Sequence, residues 1–147
     1  MLVICVGLES CKKNNNQIGI KNEEFISEQC YKAIYEQDTL ELKINTLEDG
    51  KVNGSLQMSV FNKPKMVGEL SGEFRGDTLF TSYTYVMDED KKTTYKNAMA
   101  FLKRENELIL GNGETEYAFG GSYFIKDKPI DFDRMKYKFT TVDCAVK

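Results

Sequence analysis

The chain contains no histidine and no tryptophan, and only 2 of its 147 residues are proline. Without histidine it has no imidazole base, no imidazole metal ligand and no Ser-His-Asp arrangement. Its net charge of −3 provides no basic surface of the kind that recognises nucleic acid. We therefore predict that the protein is not an enzyme, uses no cofactor or metal, and does not bind nucleic acid. No catalytic residue is assigned.

Long hydrophobic runs are also missing, but a short one lies near the start, over residues 2–8. It is too short to span a bilayer, which takes about 20 apolar residues, and it has the length of a signal-peptide core, about 7–15 residues. Cys11 follows Leu8-Glu9-Ser10 directly after this run. The arrangement resembles a bacterial lipoprotein signal: Leu8, Ser10 and Cys11 match its lipobox, and Glu9 departs from it.

This resemblance implies a lipid anchor and a division of the chain into three parts. Residues 1–10 would be the signal peptide and residues 11–28 a tether acylated at Cys11. Residues 29–147 would form the folded domain. Because Lys12, and not aspartate, follows Cys11, the resemblance favours a protein anchored in the outer membrane and facing the periplasm.

The chain has four cysteines, of which Cys5 lies in the predicted signal and Cys11 is the predicted acylation site. Cys30 and Cys144 then form an even pair at the two ends of the remaining chain, in a compartment where disulfides persist. We predict a Cys30–Cys144 disulfide, which in the chain-entropy model is worth about 4–5 kcal/mol for a loop of roughly 100 residues. The alternative is two separate buried thiols.

From residue 29 onward, apolar and polar residues alternate with a period of two, as in antiparallel strands with one buried face. Turn-forming residues such as Asp49-Gly50 and Gly76-Asp77 separate the runs. A short helix is predicted only over residues 23–31. The predicted strands include residues 40–44, 52–60, 68–74, 78–87, 93–104, 107–110, 117–125 and 135–144.

Short turns between successive strands predict an all-β fold built as a single antiparallel meander. A meander must protect its edges, and closure into a barrel of about eight strands does so. In such a barrel the first and last strands are neighbours, so the Cys30–Cys144 disulfide would join them. A β-sandwich is the alternative.

Tyr83, Tyr85 and Phe101 are our candidates for a ligand site inside the barrel. Several inward tyrosines would line an amphipathic pocket for a small apolar ligand. The alternative is that these residues form the core. A protein-binding factor would instead use loops such as residues 88–92 or 111–117.

The domain also resembles small uncharacterised Bacteroidota lipoproteins with a lipocalin-like β domain. The matching residues are Ser10-Cys11-Lys12, Cys30-Tyr31 and Val142-Asp143-Cys144. The resemblance implies a lipid-anchored envelope binding module but transfers no activity. We expect a monomer that contacts the membrane through its lipid and binds either a small ligand or a protein such as an enzyme or an assembly partner.

Overall fold

The computed structural model describes residues 25–144, which are nearly all β-structure. One short 3-10 helix, Glu48–Gly50, joins two of the strands. No helix within the described range has the length and apolar character needed to cross a bilayer. The strands are, in chain order, β1 (Phe25–Tyr35), β2 (Asp38–Leu47), β3 (Lys51–Ser59), β4 (Met66–Arg75), β5 (Thr78–Met87), β6 (Asp90–Arg104), β7 (Glu107–Leu110), β8 (Asn112–Gly113), β9 (Thr115–Ala118), β10 (Gly121–Phe124), β11 (Ile130–Asp131) and β12 (Lys138–Val142).

Eight of these strands close into an antiparallel barrel in the order β1-β12-β7-β6-β5-β4-β3-β2. Strands β1 to β7 follow one another as hairpins, and β12 closes the ring between β7 and β1. The predicted meander and barrel are confirmed, and the sandwich alternative is wrong. Strands β8 to β11 are not part of the barrel sheet and form two small two-stranded sheets, β9 with β10 and β8 with β11.

The seam between the first and last strands carries the disulfide. Cys30 of β1 lies opposite Val142 of β12, and its sulfur is bonded to that of Cys144. The two Cα atoms are 5.1 Å apart, within the range of about 4.4–6.8 Å that a disulfide spans. The predicted pairing and its place at the seam are confirmed.

Two local predictions are wrong. The helix predicted over residues 23–31 is strand from Phe25, because this segment pairs with β2 along its whole length and its backbone groups join that ladder. The single strand predicted over residues 117–125 is a hairpin, which turns at Phe119-Gly120. The predicted signal peptide, the acylation site at Cys11 and most of the predicted tether lie outside the described residues.

Side chains fill the interior of the barrel. Aromatic rings from β5, β6 and β12 meet there: the ring centroids of Tyr83 and Tyr85 are 4.8 Å apart, and those of Phe101 and Phe139 are 5.8 Å apart. Leu40, Leu56, Leu70, Leu79 and Leu108 surround them and are at most 2% exposed. Close packing of this kind supplies most of the stability of a small domain.

Candidate binding surface

The structure brings the three predicted ligand residues together, and it places them in the packed core. Tyr83 and Phe101 are 0% exposed and Tyr85 is 7% exposed. The hydroxyl of Tyr83 donates a hydrogen bond of 2.8 Å to the backbone oxygen of Leu56, and burial raises the pKa of this phenol. Because Tyr83 and Phe101 have no exposed surface, they contact only other residues of the protein in this packing. They behave as core residues, which is the alternative that the sequence left open.

Tyr85 connects this core to the surface. Its ring stacks on Tyr83 on one side and on Tyr95 on the other, with centroids 5.3 Å apart for the second pair. Its hydroxyl accepts a hydrogen bond of 3.1 Å from Nδ2 of Asn97, and burial raises its pKa. Tyr95 is 38% exposed and ends the column. The column joins side chains of the neighbouring strands β5 and β6.

The segment between β7 and β12, residues 111–137, is where the described chain leaves the meander; we call it the insertion. Its strand β10 lies against β6: Oγ of Ser122 accepts a hydrogen bond from the backbone N–H of Ala98 and donates one to Oδ1 of Asn97, each 3.3 Å long. Gly121 is buried, and a side chain there would press on Lys96. The small residues Gly121 and Ser122 therefore allow β10 to pack on the barrel.

The β9–β10 hairpin presents two aromatic rings to solvent. Ala118 pairs with Gly121, so Phe119 and Gly120 form a two-residue turn. Their φ angles are 50° and 80°, as in the hairpin turns that usually carry Asn-Gly or Asp-Gly. A bulky side chain at positive φ is unusual and costs on the order of 1–3 kcal/mol. Phe119 is nevertheless 96% exposed and Tyr117 is 77% exposed, so packing within the described chain does not offset this cost.

The insertion also forms one side of a groove of about 1050 Å³ on the outside of the barrel. We call it the outer groove. Its floor is the outward face of β3 to β6, where Asn53, Ser71, Ser82 and Ala98 are successive cross-strand partners. Residues 123–128, Ile130 and Phe132 of the insertion form the opposite side. Both apolar and charged side chains therefore face this space.

Positive charge predominates along the outer groove. Its charged lining residues are Lys51, Glu73, Arg75, Lys126, Asp127 and Lys128. Nε of Arg75 lies 3.4 Å from Oε2 of Glu73, and the Arg75 guanidinium lies 4.9 Å above the centre of the Phe80 ring. These two contacts orient the Arg75 side chain along the groove floor.

A second, smaller groove of about 470 Å³ lies beside the disulfide, on the outward face of β1 to β4. Its charged lining residues include Lys32, Glu41 and Lys43. Lys32 pairs with Glu41 at 3.9 Å, and Lys43 pairs with Glu28 at 3.0 Å. Because these charges already have partners, this groove is the weaker candidate.

Aspartates in two exposed segments form local hydrogen bonds. Asp90 accepts from the Thr93 hydroxyl at 2.8 Å and from the Lys92 backbone at 3.1 Å, which lowers its pKa. Asp131 accepts from the backbone of Asp133 at 2.9 Å. Within residues 25–144, no group of three or more His, Cys, Asp or Glu residues is arranged to hold a metal ion.

Sequence reasoning missed Asp38, which is 6% exposed. One carboxylate oxygen accepts the backbone N–H of Phe61 at 2.8 Å and the other accepts the hydroxyl of Tyr137 at 2.6 Å. These two hydrogen bonds, first the one from the Phe61 backbone, lower the pKa of Asp38. The only sequence signal was an aspartate on the inward side of a strand pattern, directly after a turn. Its role is to tie three separate segments together at one end of the barrel.

Comparisons with protein-family models, with curated proteins and with solved structures found no match to this chain. The insertion, its hairpin and the outer groove are therefore the features that bear on function.

Proposed function

We propose that this domain is a protein-binding module and that the tip of the β9–β10 hairpin is its main contact. The observation that carries the proposal is the solvent-exposed pair Tyr117 and Phe119, with Phe119 at a strained turn. Backbone strain that local packing does not offset is concentrated at functional sites. Exposed aromatic residues are the typical anchors of protein interfaces.

A protein partner suits the shape of this contact better than a small ligand. Small-molecule sites are concave and enclose most of their ligand, whereas the hairpin tip projects from the surface with Phe119 96% exposed. The carrier hypothesis needs space inside the barrel, and the 0% exposure of Tyr83 and Phe101 gives it no support. We therefore favour a factor such as an inhibitor or an assembly partner.

The charge of the hairpin also favours a protein over a lipid surface. Glu114 and Glu116 are exposed beside the aromatic pair. Carboxylates at this position would be repelled by the anionic headgroups that attract peripheral proteins. A protein pocket that receives an aromatic ring and has basic residues at its rim would match both features.

We further propose that the module is anchored to the bacterial envelope by acylation of Cys11, on the periplasmic side of the outer membrane. The Cys30–Cys144 disulfide supports an oxidising compartment, because structural disulfides are rare in the cytosol. A lipid anchor would hold the domain near its partner and raise the local concentration of both.

The proposal is tested by photo-crosslinking in native envelope. A photoreactive phenylalanine analogue is placed at Phe119 and, as the matched control, at Phe61, which is 57% exposed in a different turn. We expect a discrete protein adduct from position 119 that position 61 does not form. No adduct at position 119, or the same adducts from both positions, would contradict the proposed hairpin contact.

A further inference from the structure

The outer groove lies beside the hairpin, and its lining residues form a second candidate binding surface. Its floor belongs to β3 to β6, whose backbone groups pair with neighbouring strands across the floor. Between β3 and β6 an added β-strand therefore has no free edge to join, and beside Ala98 the outer edge of β6 contacts Ser122 of β10. Whatever binds must be held by side chains that project into the groove.

The charge of the groove is opposite to that of the whole chain. Its lining contains four cationic side chains and two carboxylates, a net charge of +2, while the chain carries −3. Within the described residues, Lys51 and Lys126 take part in none of the ion pairs, whereas Arg75 pairs with Glu73 and Lys128 pairs with Glu114. A positive cleft with low-dielectric walls attracts anionic partners and increases their association rate.

The apolar lining selects among anionic partners. Phe124, Ile130 and Phe132 face the groove from the insertion, and Leu47 lies at its other side. Together with the cationic residues of the groove, these apolar side chains match a ligand that carries both apolar groups and carboxylates. A sulfated or phosphorylated polymer would satisfy the cations and leave the apolar surface uncovered. An extended peptide with acidic and apolar residues satisfies both.

We propose that the outer groove binds an extended acidic segment of a protein partner. Its carboxylates would pair with Lys51 and Lys126, and its apolar side chains would pack on Phe124 and Phe132. This inference rests on the proposed protein-binding function and names the chemistry of the bound segment. The hairpin tip and the groove are then two adjacent contacts for the same class of partner.

The test measures fluorescence anisotropy of a labelled twelve-residue peptide in which glutamate alternates with leucine, using the full chain carrying Cys11→Ser. The groove variant combines Lys51→Glu with Lys126→Glu. The control combines Lys63→Glu with Lys138→Glu, at exposed positions outside the groove lining, and so has the same net charge. We expect the groove variant to bind the peptide at least about tenfold more weakly and the control to bind it nearly as the parent does.

Three results would overturn the inference. The first is no binding of the peptide by the parent protein, and the second is an equal loss in both double variants. The third is binding of heparin, used as a sulfated polymer, with the same groove dependence and higher affinity than the peptide. The crosslink from position 119 is also measured with the parent protein, whose groove is intact. An adduct from a parent that fails to bind the peptide refutes the groove alone, and peptide binding by a parent that forms no adduct refutes the hairpin contact alone.

Discussion

Replacing Phe119 with glycine should stabilise the fold while it removes the proposed contact. The φ of Phe119 is 50°, and a left-handed conformation costs a residue with a Cβ roughly 1–2 kcal/mol. Glycine avoids this cost but loses about 0.5–1 kcal/mol of chain entropy on folding. Because the side chain is 96% exposed, its removal sacrifices little burial. The expected net gain in the free energy of unfolding is about 0–1.5 kcal/mol, with a central value of about 0.75 kcal/mol.

Urea denaturation of the full chain carrying Cys11→Ser measures this gain. With a slope of about 1–3 kcal/mol per molar urea, the midpoint should rise by about 0.2–1 M. Tyr117→Gly is the matched control, since it removes an exposed aromatic ring from strand β9 without relieving a positive φ. It should leave the midpoint unchanged or lower it. If Phe119→Gly lowers the midpoint as much as Tyr117→Gly does, the argument from backbone strain is refuted.

Three further predictions concern the seam, a buried carboxylate and the anchor. Cys144→Ser should lower the free energy of unfolding by about 2–5 kcal/mol, seen as a lower melting temperature under oxidising conditions; an unchanged value would show that the bridge does not constrain the chain. The hydrogen bonds from Phe61 and Tyr137 lower the pKa of Asp38, so its carboxylate stabilises the fold above the ordinary aspartate pKa, and this contribution is lost as the pH falls through the folded-state pKa. Asp38→Asn should therefore be less stable at neutral pH and flatten the acid side of a stability–pH curve, and an unaltered curve would exclude this role. A fatty-acid probe should label the wild type and not Cys11→Ser, and an unlabelled wild type would refute the anchor.

The barrel could be predicted from the sequence because its signals are local or lie at the ends of the chain. Alternation at Leu40, Leu42 and Ile44 is set by the two-residue period of a strand, and each turn carries its own residues. Cys30 and Cys144 added one long-range restraint, which selected closure over an open sheet. The same strand and turn signals repeat along β1 to β7. A misplaced boundary in one strand therefore leaves the predicted strand order unchanged.

Whether the barrel interior is filled or hollow could not be predicted from the sequence. Alternation assigns each side chain to one face of a strand, but it does not give the distance to the strands on the other side of the barrel. The sequence pattern of Tyr83 and Phe101 is compatible with a lined cavity as well as with a packed core. The distance between the walls depends on how strands from distant parts of the chain curve together. The hydrogen bond from the Tyr83 hydroxyl to the Leu56 backbone oxygen depends on this curvature, because it joins two strands that are not neighbours in the chain.

The loop predicted over residues 111–117 includes Tyr117 of the proposed contact, but the outer groove was missed for a related reason. Ser71 and Ser82 follow the pattern of a solvated strand face, and the outer groove arises only because residues 123–132 fold over that face. The insertion was predicted in part as a strand, since its aromatic residues have high β-propensity. The Phe119-Gly120 turn lacks the Asn or Asp that usually marks a hairpin, and this absence concealed the feature that now suggests function.

The most direct test of the central claim is the affinity of the protein partner captured at position 119 for the purified wild type and for Phe119→Gly. Truncation of an aromatic anchor at an interface typically costs 2 kcal/mol or more, which corresponds to a dissociation constant about 30-fold higher. We predict a loss of this size in a variant that is at least as stable as the wild type. An unchanged dissociation constant for the glycine variant would contradict the proposal that this hairpin binds the partner.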